Sequence, residues 1–252
     1  MPCFVYINGY PGIGKLTIAN ELQQLLPNSK VYHNHHLIDP IDALVERSSP
    51  GYHEMRTGLR RYILNEIATS QYTKDKTWIF TDAREASTAG EMGAKDYEAA
   101  AGKRGVSFIS IVLECEIEEN ITRAINPTRV VSIGAKLTDE NILRPILENE
   151  TIYRFGNENE LVLDVTNLSP KEGALRIKEH VDRLAACPMS QPCPSIHTNL
   201  VGCCFCRAPN AAQTSKRYNV TASLSSKTPK AETSFMTQPQ SKANIQWLNN
   251  AR

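Results

Sequence analysis

The sequence predicts an α/β fold in which helices cover both faces of a five-stranded parallel sheet. Short apolar runs with strand character alternate along the chain with longer segments whose apolar residues recur at helical spacing. A glycine-rich turn also separates the first apolar run from the first helical segment. Because parallel strands need a crossover between them, usually a helix, this alternation indicates a sheet that is buried on both faces.

The predicted strands are short and rich in apolar, β-branched and aromatic residues. They occupy residues 4–7, 30–32, 77–81, 106–113 and 161–165. Ligands of parallel sheets lie beyond the carboxyl ends of the strands. We therefore expect the glycine-rich turn and the segments 33–39, 82–84 and 126–136 to surround one crevice.

Each predicted helix has a recognisable boundary or apolar face. The first ends at Pro27, and the third, which is rich in alanine, ends at Gly102. The second follows Pro50-Gly51, and its predicted apolar face comprises Met55, Leu59, Tyr62, Ile63 and Ile67. The remaining helices are predicted at 116–125, from the capping sequence Thr138-Asp139-Glu140 onwards, and from Ser169-Pro170 to about residue 186.

Composition changes near residue 187. Residues 188–252 contain seven Lys or Arg against Glu232 alone, a charge of +6, which leaves 21 basic and 26 acidic residues, a charge of −5, for 1–187. The last segment is rich in Ser, Thr, Pro, Asn and Gln and shows no sustained periodicity, so it cannot bury enough apolar surface to offset its ordering entropy. We therefore expect one folded domain over 1–187 and a disordered basic tail over 188–252.

Several classes of protein are disfavoured. No early stretch has the features of a secretory signal, and no run approaches the roughly 20 apolar residues of a membrane helix. We therefore expect a cytoplasmic protein without a membrane partner. The negative charge of 1–187 argues against a specific nucleic-acid partner. The tail cysteines superficially resemble a zinc knuckle but lack a second C-x-x-C pair.

A phosphate-binding loop is predicted between the first strand and the first helix. It consists of Gly9, Tyr10, Pro11, Gly12, Ile13, Gly14, Lys15, Leu16 and Thr17. The spacing G-x-x-x-x-G-K lets backbone N–H groups surround phosphates while Lys15 reaches the β and γ oxygens. Leu16 stands where a hydroxyl usually follows the lysine, so Thr17 is the predicted Mg²⁺ ligand. The alternative is a glycine-rich turn that only packs, but the flanking strand and helix favour a nucleotide site.

The order G-x-P-G-x-G-K-x-T resembles that of adenylate kinases. Residues 3–186 are similar to the P-loop nucleoside-monophosphate and small-molecule kinases, the group that includes adenylate, shikimate and gluconate kinases. Three segments further resemble small single-domain proteins labelled only as ATP-binding or AAA-type: Ile7-Asn8-Gly9, His33-Asn34-His35 with Leu37-Ile38-Asp39, and Gly134 to Asp139. The resemblance implies a three-layer P-loop NTPase fold, ATP and Mg²⁺ as cofactors, and a small-molecule acceptor.

The resemblance also implies roles for charged residues. Relatives carry a basic lid after the fourth strand, where Arg123, Arg129 and Lys136 fall, and Arg129 is the first candidate for the transferring phosphate. A solvated basic loop is the alternative. Asp82 stands where relatives keep an acid that orients Mg²⁺ through water, with a helix N-cap as the alternative. Arg84 could contact either substrate.

The acceptor side departs from the relatives. Gluconate and shikimate kinases have an acid-x-acid pair after the second strand, where this chain has His33-Asn34-His35. A neutral imidazole such as that of His35 can accept a proton, and Asp39 is the alternative base. A zinc site is a further alternative, since His33 and His35 would share one face of a strand, although a third ligand is lacking.

Two other segments take their roles from the relatives. Arg56, Arg60 and Arg61 fall in the zone that holds the acceptor's phosphate or carboxylate. They lie opposite the predicted apolar face, so a plain solvent face is the alternative. Residues 166–168 fall where relatives clasp the adenine base.

The leading hypothesis is an ATP-dependent kinase in which Lys15, Arg129, Asp82, His35 and Asp39 are the catalytic candidates, with Thr17 and Asp82 serving the metal. The alternative is an ATPase or nucleotide-dependent switch without an acceptor. The oligomeric state and the identity of the acceptor stay open.

Overall fold

The predicted strands form one parallel sheet in the computed structural model, which describes residues 1–126 and 137–186. In chain order the strands are β1 (Cys3–Asn8), β2 (Ser29–His33), β3 (Thr77–Thr81), β4 (Ser107–Glu114) and β5 (Glu160–Asp164). Their order across the sheet is β2-β3-β1-β4-β5, and every neighbouring pair is parallel. The predicted five-stranded parallel sheet is confirmed, with β1 at its centre.

Helices connect the strands. They are α1 (Lys15–Leu25), α2 (His35–Asp42), α3 (Tyr52–Thr69), α4 (Thr88–Arg104), α5 (Ile117–Ile125), α6 (Glu140–Asn149) and α7 (Pro170–Ala186). The two predicted caps are present. Asp139 accepts a hydrogen bond from the N–H of Asn141 at 2.9 Å at the start of α6. Before α7, the N–H of Ser169 donates to Glu172 at 2.8 Å while the N–H of Glu172 donates to the Ser169 hydroxyl at 3.3 Å, which is a capping box.

The central strand sends alternate side chains to the two faces of the sheet. Val5 and Ile7 enter an apolar core that α1 and α7 cover. Phe4 and Tyr6 enter a second core, which α3 and α4 cover and in which the ring of Tyr6 lies 4.9 Å from that of Tyr97. The sheet is thus the middle of three layers, as the sequence predicts.

Helix α3 buries a different face from the one that the apolar pattern predicts. Its buried residues are Tyr52, Arg56, Arg60, Leu64, Ile67 and Ala68. Met55 and Tyr62, predicted to be apolar contacts, are exposed, so the prediction is wrong for them and correct for Ile67. The two arginines turn inward because Asn34 and Asp96 offer them polar partners there. Hydrophobic spacing carries no information about such partners.

Two predicted boundaries also differ from the structure. Helix α4 continues past Gly102 to Arg104, and Gly105, with φ +73°, supplies the left-handed cap. His35 begins α2 instead of extending β2, because the carbonyl of Asn34 accepts N–H groups of the first turn of that helix. His33 and His35 therefore do not share one face of a strand.

Some sequence-based expectations concern residues outside the described ranges. They are the lid candidates Arg129 and Lys136, the predicted tail over 188–252 and its boundary at residue 187. Among the helices in the described part of the chain, none is both long and apolar enough to span a lipid bilayer.

Candidate active site

The glycine-rich loop joins β1 to α1 at the carboxyl edge of the sheet. Gly12 has φ +92° and Gly14 has φ +102°, in the left-handed region that favours glycine. A Cβ atom on Gly12 would also lie only 2.6 Å from the Cβ of Ala124. Helix α1 begins directly after Gly14, so the N–H groups of its first turn face the loop. A loop of this geometry before a helix N-terminus suits an anion such as a phosphate group.

Lys15 lies across the same loop. Its Nζ donates hydrogen bonds to the carbonyls of Gly9 and Tyr10, each at 2.7 Å. An ammonium group is thereby held beside the glycines, which the predicted phosphate contact requires. Thr17 is the third residue of α1 and is exposed, while Leu16 is half-buried. The assignment of Thr17 to Mg²⁺ stays a prediction.

Distant parts of the chain brace the loop. The amide Nδ2 of Asn120, on α5, donates to the carbonyl of Pro11 at 2.9 Å. The hydroxyl of Tyr10 donates to the carbonyl of Glu150 at 2.5 Å, and the Tyr10 ring packs against the small apolar cluster of α5 and α6. Ile13 is buried in the core beneath the loop. Sequence spacing gives no sign of Asn120, because it stands 109 residues from its partner.

Asp82 directly follows the neighbouring strand β3 and is completely buried. Its Oδ2 accepts a hydrogen bond from Nε of Arg84 at 2.7 Å, and its Oδ1 accepts one from the N–H of Ala83 at 2.9 Å. Ser87, not Asp82, caps α4 by accepting the N–H of Gly90. The N-cap alternative for Asp82 is therefore wrong.

Asn8, the last residue of β1, fixes the segment that follows Asp82. Its Oδ1 accepts the N–H of Arg84 at 2.8 Å, and its Nδ2 donates to the carbonyls of Arg84 at 3.0 Å and Tyr153 at 3.1 Å. Arg84 is thereby attached to the residue that precedes Gly9. The sequence reasoning missed Asn8 as a site residue, and the similarity at Ile7-Asn8-Gly9 is the one signal that pointed to it.

Asp82 and Arg84 hold each other in the charged form. Burial by itself would raise the pKa of Asp82, but Arg84 and Arg56 outweigh burial and keep the pKa below its usual value. Burial would likewise lower the pKa of Arg84, and Asp82 instead raises it. The pair is therefore ionised throughout the physiological range.

Three arginines of α3 differ in their surroundings. Arg60 is buried and donates to Asp96 through Nε at 2.9 Å and Nη2 at 2.7 Å, and Arg61 contacts the same carboxylate from the surface. Arg56 is buried and donates from Nη2 to the amide oxygen of Asn34 at 2.9 Å. The solvent-face alternative is therefore wrong for Arg56 and Arg60, and it describes Arg61 only in part.

The sequence candidates for the proton acceptor meet on α2. Nδ1 of His35 lies 3.3 Å from Oδ1 of Asp39, at the helical spacing of four residues. The ring of His33 stacks on that of His36 with centroids 3.8 Å apart. Across residues 1–126 and 137–186, no group of three or more His, Cys, Asp or Glu side chains is placed to hold a metal ion. His35 and Asp39 thus form one pair and are not alternatives in separate places.

A polar clasp joins the start of α3 to the end of α2. Asp42 accepts hydrogen bonds from Arg47, through Nε and Nη2, and from the hydroxyl of Tyr52 at 2.6 Å. Burial, assisted by Asp42, raises the pKa of Tyr52 to about 12. The clasp holds the connection over 43–51 between α2 and α3, and sequence reasoning did not anticipate it.

Arg123 contacts the segment that follows β5. It is on α5, where Nε pairs with Glu119 at 2.7 Å and Nη2 donates to the carbonyls of Val165 at 3.0 Å and Thr166 at 2.8 Å. Arg123 thus holds the start of the predicted adenine segment, and its place among the lid arginines stays a prediction. Thr166 is further fixed by hydrogen bonds with Asp164.

Comparisons with known proteins give a likeness of fold. No family model matches the chain, and no curated protein does. A solved structure from Chloroflexus aurantiacus, assigned as a kinase, has a TM-score of 0.53 at 13% identity and covers 72% of this chain and 97% of its own. The structure of APE1195 has a TM-score of 0.52 at 19% identity and covers 73% of this chain and 96% of its own.

A gluconokinase from Sinorhizobium meliloti is also similar, with a TM-score of 0.51 at 11% identity, covering 73% of this chain and 94% of its own. At such identities the likeness concerns the fold and not the reaction. The resemblance stated from the sequence motifs is confirmed at that level. The chain therefore has the fold of the P-loop small-molecule kinases.

Proposed function

We propose that this protein is a kinase that transfers the γ-phosphoryl group of ATP to a small-molecule acceptor. The observation that carries the proposal is the loop before α1, in which Gly12 and Gly14 adopt left-handed φ angles and Lys15 crosses the opening. Backbone N–H groups and one ammonium group together bind a polyphosphate by charge and by hydrogen bonding.

The same residues fit a magnesium nucleotide. The space beside Gly12 and Ala124 excludes a Cβ atom, the hydroxyl of Thr17 is exposed on the first turn of α1, and Asp82 is ionised. Both Asp82 oxygens already accept hydrogen bonds from the protein, so we assign Asp82 an indirect role through water. When bound, Mg²⁺ would neutralise charge on the phosphate oxygens.

We assign proton removal to the His35–Asp39 pair. If Nδ1 of His35 carries the hydrogen that Asp39 accepts, Nε2 is the basic nitrogen. The acceptor oxygen forms a bond to the γ-phosphorus as the bond from that phosphorus to the β–γ bridging oxygen breaks. ADP leaves, and the hydroxyl proton passes to Nε2. Arg129, outside the described residues, is proposed to neutralise charge on the transferring group.

The first experiment is titration calorimetry of the full chain with ATP and Mg²⁺. Lys15→Ala should weaken nucleotide binding by at least about tenfold, since a charge-assisted contact contributes roughly 1.5–3 kcal/mol. Lys171→Ala, an exposed lysine of α7, is the matched control and should bind as the parent does. Unchanged affinity in Lys15→Ala would contradict the assignment of the loop.

Turnover separates the kinase from the alternative. We expect pooled sugars, sugar acids, nucleosides and nucleotides to raise ADP production for at least one pool. Equal ATP consumption with and without every pool would instead favour an ATPase or a nucleotide-dependent switch.

A further inference from the structure

An apolar stripe runs along the outward side of α3. Met55, Leu59 and Tyr62 recur at the i, i+4 and i+7 positions of the helix, which places them on one face. Met55 is 38% exposed and Tyr62 is 62% exposed, while Leu59 is half-buried. The opposite face of the helix is already used, because Leu64 and Ile67 enter the core beside the sheet. The stripe is therefore left outside that core.

A glycine lies next to this stripe on the exposed side of α3. Gly58 is near the middle of the 18-residue helix, and a Cβ atom added to it would have nothing within 4 Å. Glycine destabilises a helix interior, and within the described residues neither a left-handed φ nor a close neighbour requires it here. A glycine also allows another molecule to approach the backbone closely. Gly58 thus offers a hollow in which a side chain of a partner fits.

The charges beside the stripe make this surface complementary to itself. Glu54 and Arg61 are both exposed, and their spacing of about two helical turns places them on the same flank of α3. Arg61 remains 54% exposed although it contacts Asp96. When two copies of α3 cross antiparallel about a two-fold axis, Glu54 of each copy comes beside Arg61 of the other. Opposite charges then meet twice in one interface.

The same antiparallel crossing fits the apolar residues. With the two-fold axis between Gly58 and Leu59, the Leu59 side chain of each copy lies over Gly58 of the other. Met55 of each copy then faces Tyr62 of the other, and methionine sulfur makes favourable contacts with aromatic rings. The small, apolar and charged positions therefore match at one register.

We infer that the outward face of α3, from Glu54 to Tyr62, is the interface of a two-fold homodimer. Leu59 on Gly58 forms its centre, Met55 with Tyr62 its apolar contacts, and the opposite charges its rim. An interface built on one pair of helices is at the small end of specific interfaces, so we expect dissociation in the micromolar range. The inference does not depend on the proposed kinase function.

Sedimentation velocity of the full chain, between about 1 and 100 μM, measures the oligomeric state. The parent should change from monomer to dimer across this range. Gly58→Gln should raise the dissociation constant by at least about tenfold, because the new side chain fills the hollow that Leu59 of the other copy needs. It should also raise the Tm of the dilute monomer by roughly 1–3 °C, since glutamine suits a helix interior better than glycine. Opposite effects on folding and association distinguish a lost interface from misfolding.

A second tyrosine provides the matched control. Tyr62→Arg places a charge in the apolar contact and should leave the chain monomeric across the whole range. Tyr72, in the short turn before β3, is 94% exposed, so Tyr72→Arg should dimerise as the parent does. Equal loss of the dimer in both variants would show that added charge, and not the face of α3, controls association, which contradicts the inference.

Charge reversal tests the register. Glu54→Arg and Arg61→Glu each bring like charges together twice in a homodimer, and each should raise the dissociation constant by about tenfold. An equal mixture of the two variants should associate nearly as the parent does, because the mixed dimer pairs opposite charges at both places. A mixture that associates no better than its components would contradict the antiparallel crossing.

The parent itself gives the decisive measurement. A chain that stays monomeric at every concentration, as expected if residues 188–252 or a different protein cover the stripe, would overturn the inference. A dimer that Gly58→Gln and Tyr62→Arg leave unchanged would overturn it equally, because the contact would then lie elsewhere.

Discussion

Replacing Arg56 by methionine should make the ligand-free protein more stable. The pKa of Arg56 is lowered from 12.5 to about 10, first by burial and then by repulsion from Arg84. At 1.36 kcal/mol for each pKa unit, the fold disfavours the charged guanidinium by about 3 kcal/mol. Because the group is charged in both folded and unfolded chains below pH 10, the whole penalty is present at neutral pH and disappears only as the pH rises from about 10 to 12.5.

Removing the charge therefore stabilises the fold, but part of that stabilisation is offset by the contacts that Arg56 loses. The hydrogen bond to Asn34 at 2.9 Å contributes about 1–2 kcal/mol, while methionine keeps most of the buried stem. The net increase in the free energy of unfolding should be about 1–2 kcal/mol. For a chain of this size that corresponds to a rise in Tm of about 2–8 °C.

Urea denaturation at pH 7 in chloride buffer, followed by circular dichroism, measures the change. Arg60→Met should lower the free energy of unfolding by about 2–3 kcal/mol, because the carboxylate of Asp96 then keeps only its contact with the exposed Arg61. Arg61→Met should stay within about 0.5 kcal/mol of the parent. A loss above about 1 kcal/mol in Arg56→Met would refute the idea that Arg56 carries uncompensated charge.

Two further predictions concern the loop and its neighbour. Gly14→Ala should lower the free energy of unfolding by about 1–2 kcal/mol through its φ of +102° alone, since nothing lies within 4 Å of the added Cβ. Gly12→Ala should lower it further, because its added Cβ would also meet Ala124. Equal losses for the two variants in urea denaturation would contradict this difference. Burial and Glu85 raise the pKa of Glu150 from 4.5 to about 7. The stabilisation from protonated Glu150 is therefore complete below pH 4.5 and is lost as the pH rises through about 7. Glu150→Gln should flatten the fall in Tm between pH 5 and 8, and a slope equal to that of the parent would argue against the raised pKa.

The parts of the fold that depend on local sequence could be predicted. Strand β1 is a continuous apolar run up to Asn8, and β4 is apolar apart from Ser110 and its two end residues. The glycines of the loop are required by backbone geometry within a few residues. The end of α4 was harder to predict, because Gly102 and Gly105 both suit a helix end. Only the left-handed φ of Gly105 in the structure shows that the helix ends there. Lys15 was predicted from the spacing of the glycines and Asp82 from its position after a strand of a parallel sheet, and their roles stay predictions.

The sequence by itself determined the alternation of strands and helices, the glycine-rich loop before α1, and the position of Asp82 directly after β3. The tertiary structure alone decided which face of α3 is inside, that His35 faces Asp39, and that Asn8 and Asn120 hold the loop segments. The physical reason is that periodicity reports the average burial of a segment. The burial of a charged side chain instead depends on partners such as Asp96, 36 residues from Arg60, which only the folded chain brings into contact.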